Sequence, residues 1–366
     1  MHKLQYSIYI LLFIILSVAI LFFSRSFLIP IALAGILAML FIGISNKLES
    51  FGIRRVFSAL IAILFFLFVI AFIFTLLTWQ LSDLPDNMEN MKERLLSLVE
   101  EVRIWLNEKI GISNQQQDAI VNQQGAQNAK SQGNLLANFA IGILDVVINI
   151  ILVLVYTYLF LLYRSRIKKF ILKLVSPKNY NQAEEIIQQS TKVSQQYLIG
   201  LATMILMLWV LYGIGFSLVG VESALFFAIL CGLLEIIPFV GNITGTSITV
   251  LAVIAQNGQS EKILGVIVVY LIIQFFQTYI LEPLVVGNQV NINPLFTILV
   301  LVAGESVWGI AGMILAIPLL GMAKIICDHV PYLQPYGYLI GTDRKPEKGI
   351  ITKIKKIKNR FINKST

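Results

Sequence analysis

Charged residues are scarce in this sequence of 366 residues. They make up 13% of the chain, whereas 57% of the residues are hydrophobic and the mean hydropathy is +0.81. Soluble domains carry roughly 25% charged residues. A water-soluble fold could not bury so much apolar surface, so the composition excludes this class and indicates a protein that exposes apolar side chains to lipid.

Cysteine and histidine are nearly absent as well. Cys231 and Cys327 both lie in apolar runs, without the spacing of a disulfide framework or a metal site. The two histidines, His2 and His329, lie at polar edges, and the sequence contains no HExxH motif and no Ser/Lys or Asp/Asp pairing. An intramembrane enzyme would lack the partners that its catalytic site needs. We therefore expect no catalysis, no cofactor and no metal.

Long apolar runs dominate what is present. A membrane crossing takes about 20 apolar residues for a hydrocarbon core of about 30 Å. Six runs meet this length, at about 6–23, 27–45, 56–79, 137–163, 196–219 and 262–281, and two further apolar regions, 222–256 and 294–327, are each interrupted. The sequence predicts an all-α polytopic protein with about eight spans, including two interrupted or re-entrant hairpins in the C-terminal half.

The net charge of +8 comes from three basic clusters. Their members are Lys47, Arg54 and Arg55; then Arg164, Arg166, Lys168, Lys169, Lys173 and Lys178; then Arg344, Lys345, Lys348, Lys353, Lys355, Lys356, Lys358 and Arg360. All three fall on one side of the membrane if both termini are cytoplasmic. Topology thus accounts for the basic charge without nucleic acid. In 164–178 and 351–361 the basic residues alternate with apolar ones, which predicts interfacial helices bound to anionic lipid headgroups.

Five segments follow from these patterns. Residues 1–81 hold spans one to three, and 82–136 hold an extracytoplasmic amphipathic helix, N-capped by Asp86, with a Gln/Asn-rich loop. That helix either lies against the rest of the protein or serves as a cap or an oligomer contact. Residues 137–195 hold span four and cytoplasmic interfacial helices, 196–330 a C-terminal transport core, and 331–366 a basic cytoplasmic tail.

The first interrupted region contains the stretch LLEIIPFVGN. Its apolar arms, about 222–237 and 243–256, give about 21 to 24 Å of helix each, which is short of a full crossing. Pro238 and Gly241 between the arms predict a hairpin tip. A polar run, with Asn242, Thr244 and Thr246, starts the second arm, and we expect it to satisfy the backbone groups freed at the break.

The second interrupted region is predicted to be a hairpin from the opposite, cytoplasmic face. Pro294, after Asn293, opens a short arm, which is interrupted at Glu305, Trp308 and Gly309 before a second arm begins. Two interrupted hairpins that enter from opposite faces are typical of the central site of a transporter.

Three carboxylates lie in or beside these hairpins. An ionised group in the bilayer interior costs at least about 2.5 to 3.5 kcal/mol, so it should face a cavity or a partner. Glu235 is expected about 20 Å deep, as a proton, cation or polar-solute site or else as a cap for the amides around Pro238. Glu282 fits an interfacial or gate-pairing role, and Glu305 belongs to the site only if the second hairpin reaches the midplane.

The C-terminal segments EIIPFVGN, LEPLVVGNQVNINPLFTILVLVAG and WGIAGMILAIPLLGMAKII carry a family resemblance. They combine a Pro-aromatic-x-Gly break, Glu282-Pro283 with Gly287 four residues later, Asn293-Pro294, and Gly-x-x-Gly from Gly309. In this order and spacing they resemble the autoinducer-2 exporter family of bacterial permeases. The resemblance extends over nearly the whole chain.

This resemblance implies a homo-oligomeric permease of the bacterial inner membrane. Some members of the family are linked to export of the quorum signal and others to sodium–proton exchange. The expected function is export of a small polar solute, such as a quorum-sensing signal, by alternating access. A sodium (or other monovalent cation)/proton antiporter and a non-transporting membrane scaffold are the alternatives.

Overall fold

The computed structural model of the protein describes residues 2–81, 135–238, 240–256, 260–285 and 291–342. The predicted extracytoplasmic helix and its loop, the basic tail at 351–361 and Gly287 lie outside the described residues. The described parts are 91% helical and contain no strand. Six of their helices are long and apolar enough to cross a membrane. The predicted all-α polytopic fold is confirmed.

The described residues of the N-terminal half, 2–81 and 135–174, form four helices. They are α1 (His2–Phe23), α2 (Arg25–Ser50), α3 (Arg55–Leu81) and α4 (Leu135–Leu174), and each contains one of the first four predicted spans. At their centre Ala38 and Phe41 of α2 pack with Ala59 and Ala62 of α3 and with Leu161 of α4. The alanines let the helix backbones approach closely, as is usual in lipid, where apolar burial gives no net drive for association.

Polar contacts join the same helices at the end that carries the basic clusters. Glu49 of α2 accepts from Arg164 of α4 at 2.6 Å and lies 3.5 Å from Arg55 of α3. The hydroxyls of Ser45 and Ser58 lie 3.0 Å apart in the buried interface of α2 and α3. These contacts fix the ends of three spans relative to one another.

The segment after span four differs from its prediction. Residues 164–174 continue α4, a single helix of 40 residues, instead of forming a separate interfacial helix. Lys168 on this extension pairs with Glu184 at 2.6 Å. This ion pair connects the extension to α5, the helix that follows.

The C-terminal half is built from α5 (Tyr180–Val219), α6 (Ala224–Leu234), α7 (Val240–Ala255), α8 (Ser260–Phe276), α9 (Glu282–Val285), α10 (Pro294–His329) and α11 (Gln334–Ile340). A π-helical turn, Gln277–Leu281, joins α8 to α9, and short 3-10 turns at Pro177–Asn179 and Pro331–Leu333 precede α5 and α11. Tyr212 and Phe216 of α5, Phe227 of α6, Val253 of α7 and Val266 of α8 form the buried core. The α6–α7 pair is thus packed between α5 and α8.

Helices α6 and α7 form the first hairpin, as predicted. They have 11 and 16 residues, hence about 16 Å and about 24 Å of helix, and neither spans about 30 Å. Gly241 acts differently from the expectation, because it lies within α7 and its φ is not positive. A Cβ at this position would collide with the Leu234 carbonyl. Its role is to let the two arms approach at the tip.

Helix α10 is itself the second hairpin. Gly309 has a φ of 60° and a ψ of −141°, which breaks the helix into arms 294–308 and 310–329 of about 22 Å and about 30 Å. The backbones of Gly304 and Gly312 touch across the turn, so the arms run back along each other. Asn293 caps the first arm by accepting from the Leu295 amide at 2.9 Å, and Pro294 occupies its first position. The second predicted hairpin is confirmed.

The two ends of this second hairpin are tied together. Residue Ile292, just before α10, forms an antiparallel bridge with Gly341, just after α11, and the Asn293 amide donates to the Ile340 carbonyl at 2.8 Å. Lys324 pairs with Asp328 at 2.5 Å on the outgoing arm. The base of the hairpin is closed by the chain that follows it.

Candidate functional site

A cavity of about 340 Å³ lies at the tip of the first hairpin. The hairpin tip closes one side, and α5, α8, the π turn, α9 and both arms of α10 form the others. Its apolar walls include Leu201, Met204, Leu301 and Ile317. Its polar lining residues are Tyr197, Glu235, Asn242, Tyr270, Gln274, Gln277, Thr278, Glu282 and Thr297. This is a concentration of hydrogen-bonding groups within an apolar bundle.

A chain of side-chain hydrogen bonds runs along the wall of the cavity. The Tyr212 hydroxyl donates to Asn242 Oδ1 at 2.9 Å. Asn242 Nδ2 donates to the Gln274 side-chain oxygen and, at 3.5 Å, to Gln277 Oε1. Gln277 Nε2 donates to Glu235 Oε1 at 2.5 Å. The chain attaches the hairpin tip to α5 on one side and to α8 and its π turn on the other.

Three side chains of this hydrogen-bond chain are buried. Glu235 is 9% exposed, and Asn242 and Gln277 are each 5% exposed. A polar group buried without a partner costs several kcal/mol in hydrocarbon, so the hydrogen bonds between these side chains are what make their burial possible. The break in the first hairpin and the polar residues of α8 therefore stabilise each other.

The π turn sets the polar face of α8. Gln274, Thr278 and Glu282 follow at four-residue steps, and each step overshoots one α-helical turn by about 40°. The turn Gln277–Leu281 is wider, because a π-helix pairs residues five apart. This wider turn offsets part of the extra rotation about the helix axis. All three side chains line the cavity. π turns occur frequently at functional sites.

The structure brings some of the predicted site residues together. Glu235, Pro238, Asn242 and Glu282 all line the cavity. Gly241 lies directly behind the tip, where it contacts the Leu234 backbone. The carboxylate that the sequence singled out is therefore accompanied by three of its predicted companions.

The polar run that starts α7 does not act as expected. The Asn242 amide hydrogen-bonds side chains of α5 and α8 rather than backbone groups freed at the break. Thr246 is buried and lines a separate groove between α7 and α8, whereas Thr244 is exposed. Of the run, Asn242 alone reaches the cavity.

The remaining predicted residues lie elsewhere. Pro283 follows Glu282 in α9, and Asn293 and Pro294 shape the start of α10. Glu305 is exposed, and Trp308 donates from Nε1 to the Leu21 carbonyl at 2.9 Å, which joins the turn at Gly309 to α1. The second hairpin contributes Thr297 and Leu301 from its first arm to the cavity, and its tip is not part of the lining.

The sequence analysis missed seven polar residues of the site. They are Tyr197 and Tyr212 on α5, Tyr270 and Gln274 on α8, Gln277 and Thr278 in the π turn, and Thr297 on α10. The two glutamines had a signal, because with Thr278 they occupy positions i, i+3 and i+4 of a span that is otherwise apolar, hence one helix face. Polar side chains that recur on one face of a membrane span generally face the bundle interior.

The described charged residues of the cavity lining are all acidic. Two carboxylates, Glu235 and Glu282, line it, and none of its described lining residues is Lys, Arg or His. Within the described ranges no group of three or more His, Cys, Asp or Glu side chains could hold a metal ion. The cavity is suited to groups that donate hydrogen bonds or carry positive charge.

Comparison with known proteins agrees with the resemblance predicted from the sequence. The "Putative transport protein YueF" of Bacillus subtilis is 27% identical over 340 residues, covering 87% of this chain and 89% of that protein. The "Putative permease PerM" of Escherichia coli is 24% identical over 341 residues, covering 89% and 93%. The sequence model described as "AI-2E family transporter" matches residues 10–332. Because this match covers most of the sequence, the chain belongs to the AI-2E transporter family.

Proposed function

We propose that this multi-pass membrane protein is a permease that binds a small polar solute beside Glu235 and exports it across the bacterial inner membrane. The observation that carries the proposal is the buried Glu235 carboxylate, held by Gln277 at the edge of a polar cavity. Carboxylates within membrane spans are rare and mark solute or ion pathways. The "transport protein" and "permease" in the names of its relatives agree with this role.

The size and lining of the cavity fit a small hydroxylated molecule. Water occupies about 30 Å³ per molecule in the liquid, so the cavity of about 340 Å³ has room for about ten non-hydrogen atoms. Amide and hydroxyl groups of the lining can replace the water that surrounds such a solute. A quorum-sensing signal of this size and polarity is our candidate cargo.

Alternating access follows from the two hairpins. The tip of the first and the initial arm of the second both contribute to the lining, through Asn242 and Thr297 respectively. Movement of one hairpin against the other changes the cavity and the side to which it opens. Sites formed by interrupted helices from opposite membrane faces work in this way in other transporters. The proposal includes cytoplasmic termini, anionic lipid at the basic clusters and a homo-oligomeric assembly.

The test compares Glu235→Gln with the wild-type protein in liposomes. Flux of a labelled quorum signal is measured with Gln195→Leu as the control, because Gln195 also donates one side-chain hydrogen bond between helices, to the Met39 carbonyl at 2.6 Å, but does not line the cavity. We expect flux to fall in Glu235→Gln and to persist in Gln195→Leu. Equal flux in all three proteins contradicts a binding role for Glu235.

A monovalent cation/proton antiporter is the second candidate. It is favoured by the two carboxylates of the cavity, which no basic lining residue neutralises. The measurement is sodium movement driven by a pH gradient across liposomes that contain the purified protein, with Glu235→Gln as the comparison. Sodium flux that needs Glu235, without flux of the quorum signal, establishes the antiporter. Absence of both fluxes leaves the scaffold alternative.

A further inference from the structure

We propose that Gln277 is a positioning residue that makes the cavity specific for hydrogen-bond donors, namely neutral polyols and organic cations, and excludes anions. The inference rests on the proposed function, because it takes Glu235 as the group that meets the solute. It adds the chemical class of the solute and the residue that determines it.

The first argument is the direction of the hydrogen-bond chain. A tyrosine hydroxyl starts it by donating to Asn242, whose oxygen is then occupied and whose amino group must point onward. The same holds for Gln277, which accepts from Asn242 and donates to Glu235. The carboxylate can only accept when ionised. Apart from the branch from Asn242 to Gln274, the donors from Tyr212 through Asn242 and Gln277 therefore point toward Glu235, and the two ends of this path fix both amide orientations.

The second argument is what this arrangement leaves for a solute. Gln277 occupies Oε1 of Glu235, and no described residue donates to Oε2. Since Glu235 lines the cavity, a solute that donates to Oε2 completes the hydrogen bonding of the carboxylate. A hydrogen bond to an ionised group is about twice as strong as a neutral one, so donors gain most at this position.

The third argument is the remainder of the lining. Glu282 adds a second carboxylate on the π-turn side, and the described lining contains no cationic side chain. An anion that enters meets like charge in a medium of low dielectric constant and finds no counter-charge to offset its lost hydration. A polyol or an ammonium group instead meets two carboxylates that accept its hydrogen bonds.

Gln277 acts in this selectivity by holding the Glu235 carboxylate in one orientation. It is the first residue of the π turn and is buried, and its amide nitrogen donates to Glu235 Oε1 at 2.5 Å. Gln277→Met keeps the length of the side chain and removes its donor. The carboxylate of Glu235 then loses its fixed orientation, and its oxygens no longer present one defined acceptor to the solute.

The experiment uses three probes of similar size: erythritol, threonate and aminobutanetriol, which are neutral, anionic and cationic. Binding to the full chain in nanodiscs is measured as ligand-induced thermal stabilisation, for wild type, Gln277→Met and the control Gln195→Met. We expect wild type to bind erythritol and the amine, and to bind threonate at least about tenfold more weakly. In Gln277→Met the erythritol Kd rises about tenfold, and Gln195→Met binds as wild type does.

Threonate binding as tight as that of erythritol overturns the inference, and so does an unchanged Kd in Gln277→Met. The charge comparison in wild type needs no variant, so it decides the matter even if Gln277→Met fails to fold. Flux in liposomes separates the two proposals. Selective binding without flux contradicts the proposed function alone, flux without charge selectivity contradicts the inference alone, and neither binding nor flux contradicts both.

Discussion

The two helical hairpins of the C-terminal half reverse the chain in different ways. In the first, α6 ends at Leu234 and α7 begins at Val240, and polar side chains occupy the tip between helices α5 and α8. In the second, one residue, Gly309, turns the chain through a backbone conformation that L side chains rarely adopt. A reversal over several residues leaves polar groups that need partners, whereas a reversal at one glycine leaves few.

This difference explains why the polar cavity lies at only one of the two tips. Glu235, beside the first turn, is buried and bonded to Gln277, whereas Glu305, beside the second turn, is exposed. The second hairpin instead packs its arms through Gly304 and Gly312, which is the small-residue contact common in membrane helices. The first hairpin contributes the polar groups at its tip to the cavity, and the second contributes part of the cavity wall.

The largest effect on stability is expected at Gly241, in the first tip, where there is no room for a side chain. Gly241→Ala places a methyl group against the Leu234 carbonyl, and because both are backbone-fixed the protein should lose about 3 kcal/mol of stability. Denaturation of the purified protein in detergent measures this loss. The matched control is Gly35→Ala in α2, where a Cβ meets no atom within 4 Å. Equal stability of the two variants would sink the close-approach explanation.

At Gly309, in the second tip, the backbone conformation restricts which residues can occupy the position. Gly309→Ala should cost about 1 to 3 kcal/mol, because a φ of 60° with a ψ of −141° is a region almost reserved for glycine. No atom lies within 4 Å of an added Cβ, so Gly309→Ser should cost as much as Gly309→Ala. At Gly241 the cost should instead rise with side-chain size. A size dependence at Gly309 in the same denaturation experiment contradicts this distinction.

The carboxylates beside the two turns should differ in function. We expect Glu235→Gln to lower kcat/KM for solute flux about tenfold or more, because a hydrogen bond to a charged group is lost. Glu305→Gln should change it by less than about twofold, as for other exposed sites. Initial rates in liposomes over a range of solute concentrations give both values. A larger loss in Glu305→Gln would move the site to the second tip.

The hydrogen-bond chain of the first tip should be measurable in stability. Tyr212→Phe removes the donor to Asn242 Oδ1 and leaves that oxygen buried, which costs about 1 to 2 kcal/mol. Tyr279→Phe is the control, since Tyr279 is exposed on the same bundle. Equal melting temperatures of the two variants would show that the tyrosine hydroxyl is not part of the chain.

The smallest effect is expected where the second tip meets α1. Trp308→Phe removes the hydrogen bond to the Leu21 carbonyl and should cost about 0.5 to 1 kcal/mol, as for one partly exposed neutral hydrogen bond. Tyr332→Phe, at a residue 92% exposed, should leave the melting temperature unchanged. A loss as large as that in Tyr212→Phe would mean that the second tip is also held by buried polar contacts.

Much of the helical fold could be predicted, because the lengths of apolar runs and the positions of prolines and glycines are local properties. Pro294 starts α10 and Gly309 breaks it as the sequence indicates. The continuation of α4 through 164–174 could not be predicted in this way. The extension pairs Lys168 with Glu184 in another helix, and the amphipathic pattern does not contain such a contact.

The site was only partly predictable for the same reason. Glu235 and Asn242 stand out as polar residues in an apolar run, but the buried Tyr212 looks like any aromatic residue of a span. The direction of Gln277 depends on the π turn, which has no sequence signature. Glu305 and Trp308 were grouped with Glu235 because the sequence does not say which part of the second hairpin meets the first. That choice is made by packing between helices distant in the chain.

Under the proposed function, the length of α6 makes cation binding at Glu235 dependent on the membrane voltage. Helix α6 has 11 residues and ends just before Glu235, and its length of about 16 Å is about half of a hydrocarbon layer of about 30 Å. In an energised membrane the full voltage drop acts across this layer and is worth about 2.3 kcal/mol per charge per 100 mV. A cation that arrives at Glu235 has crossed about half of that drop, so its apparent affinity changes with membrane voltage, whereas that of a neutral polyol does not.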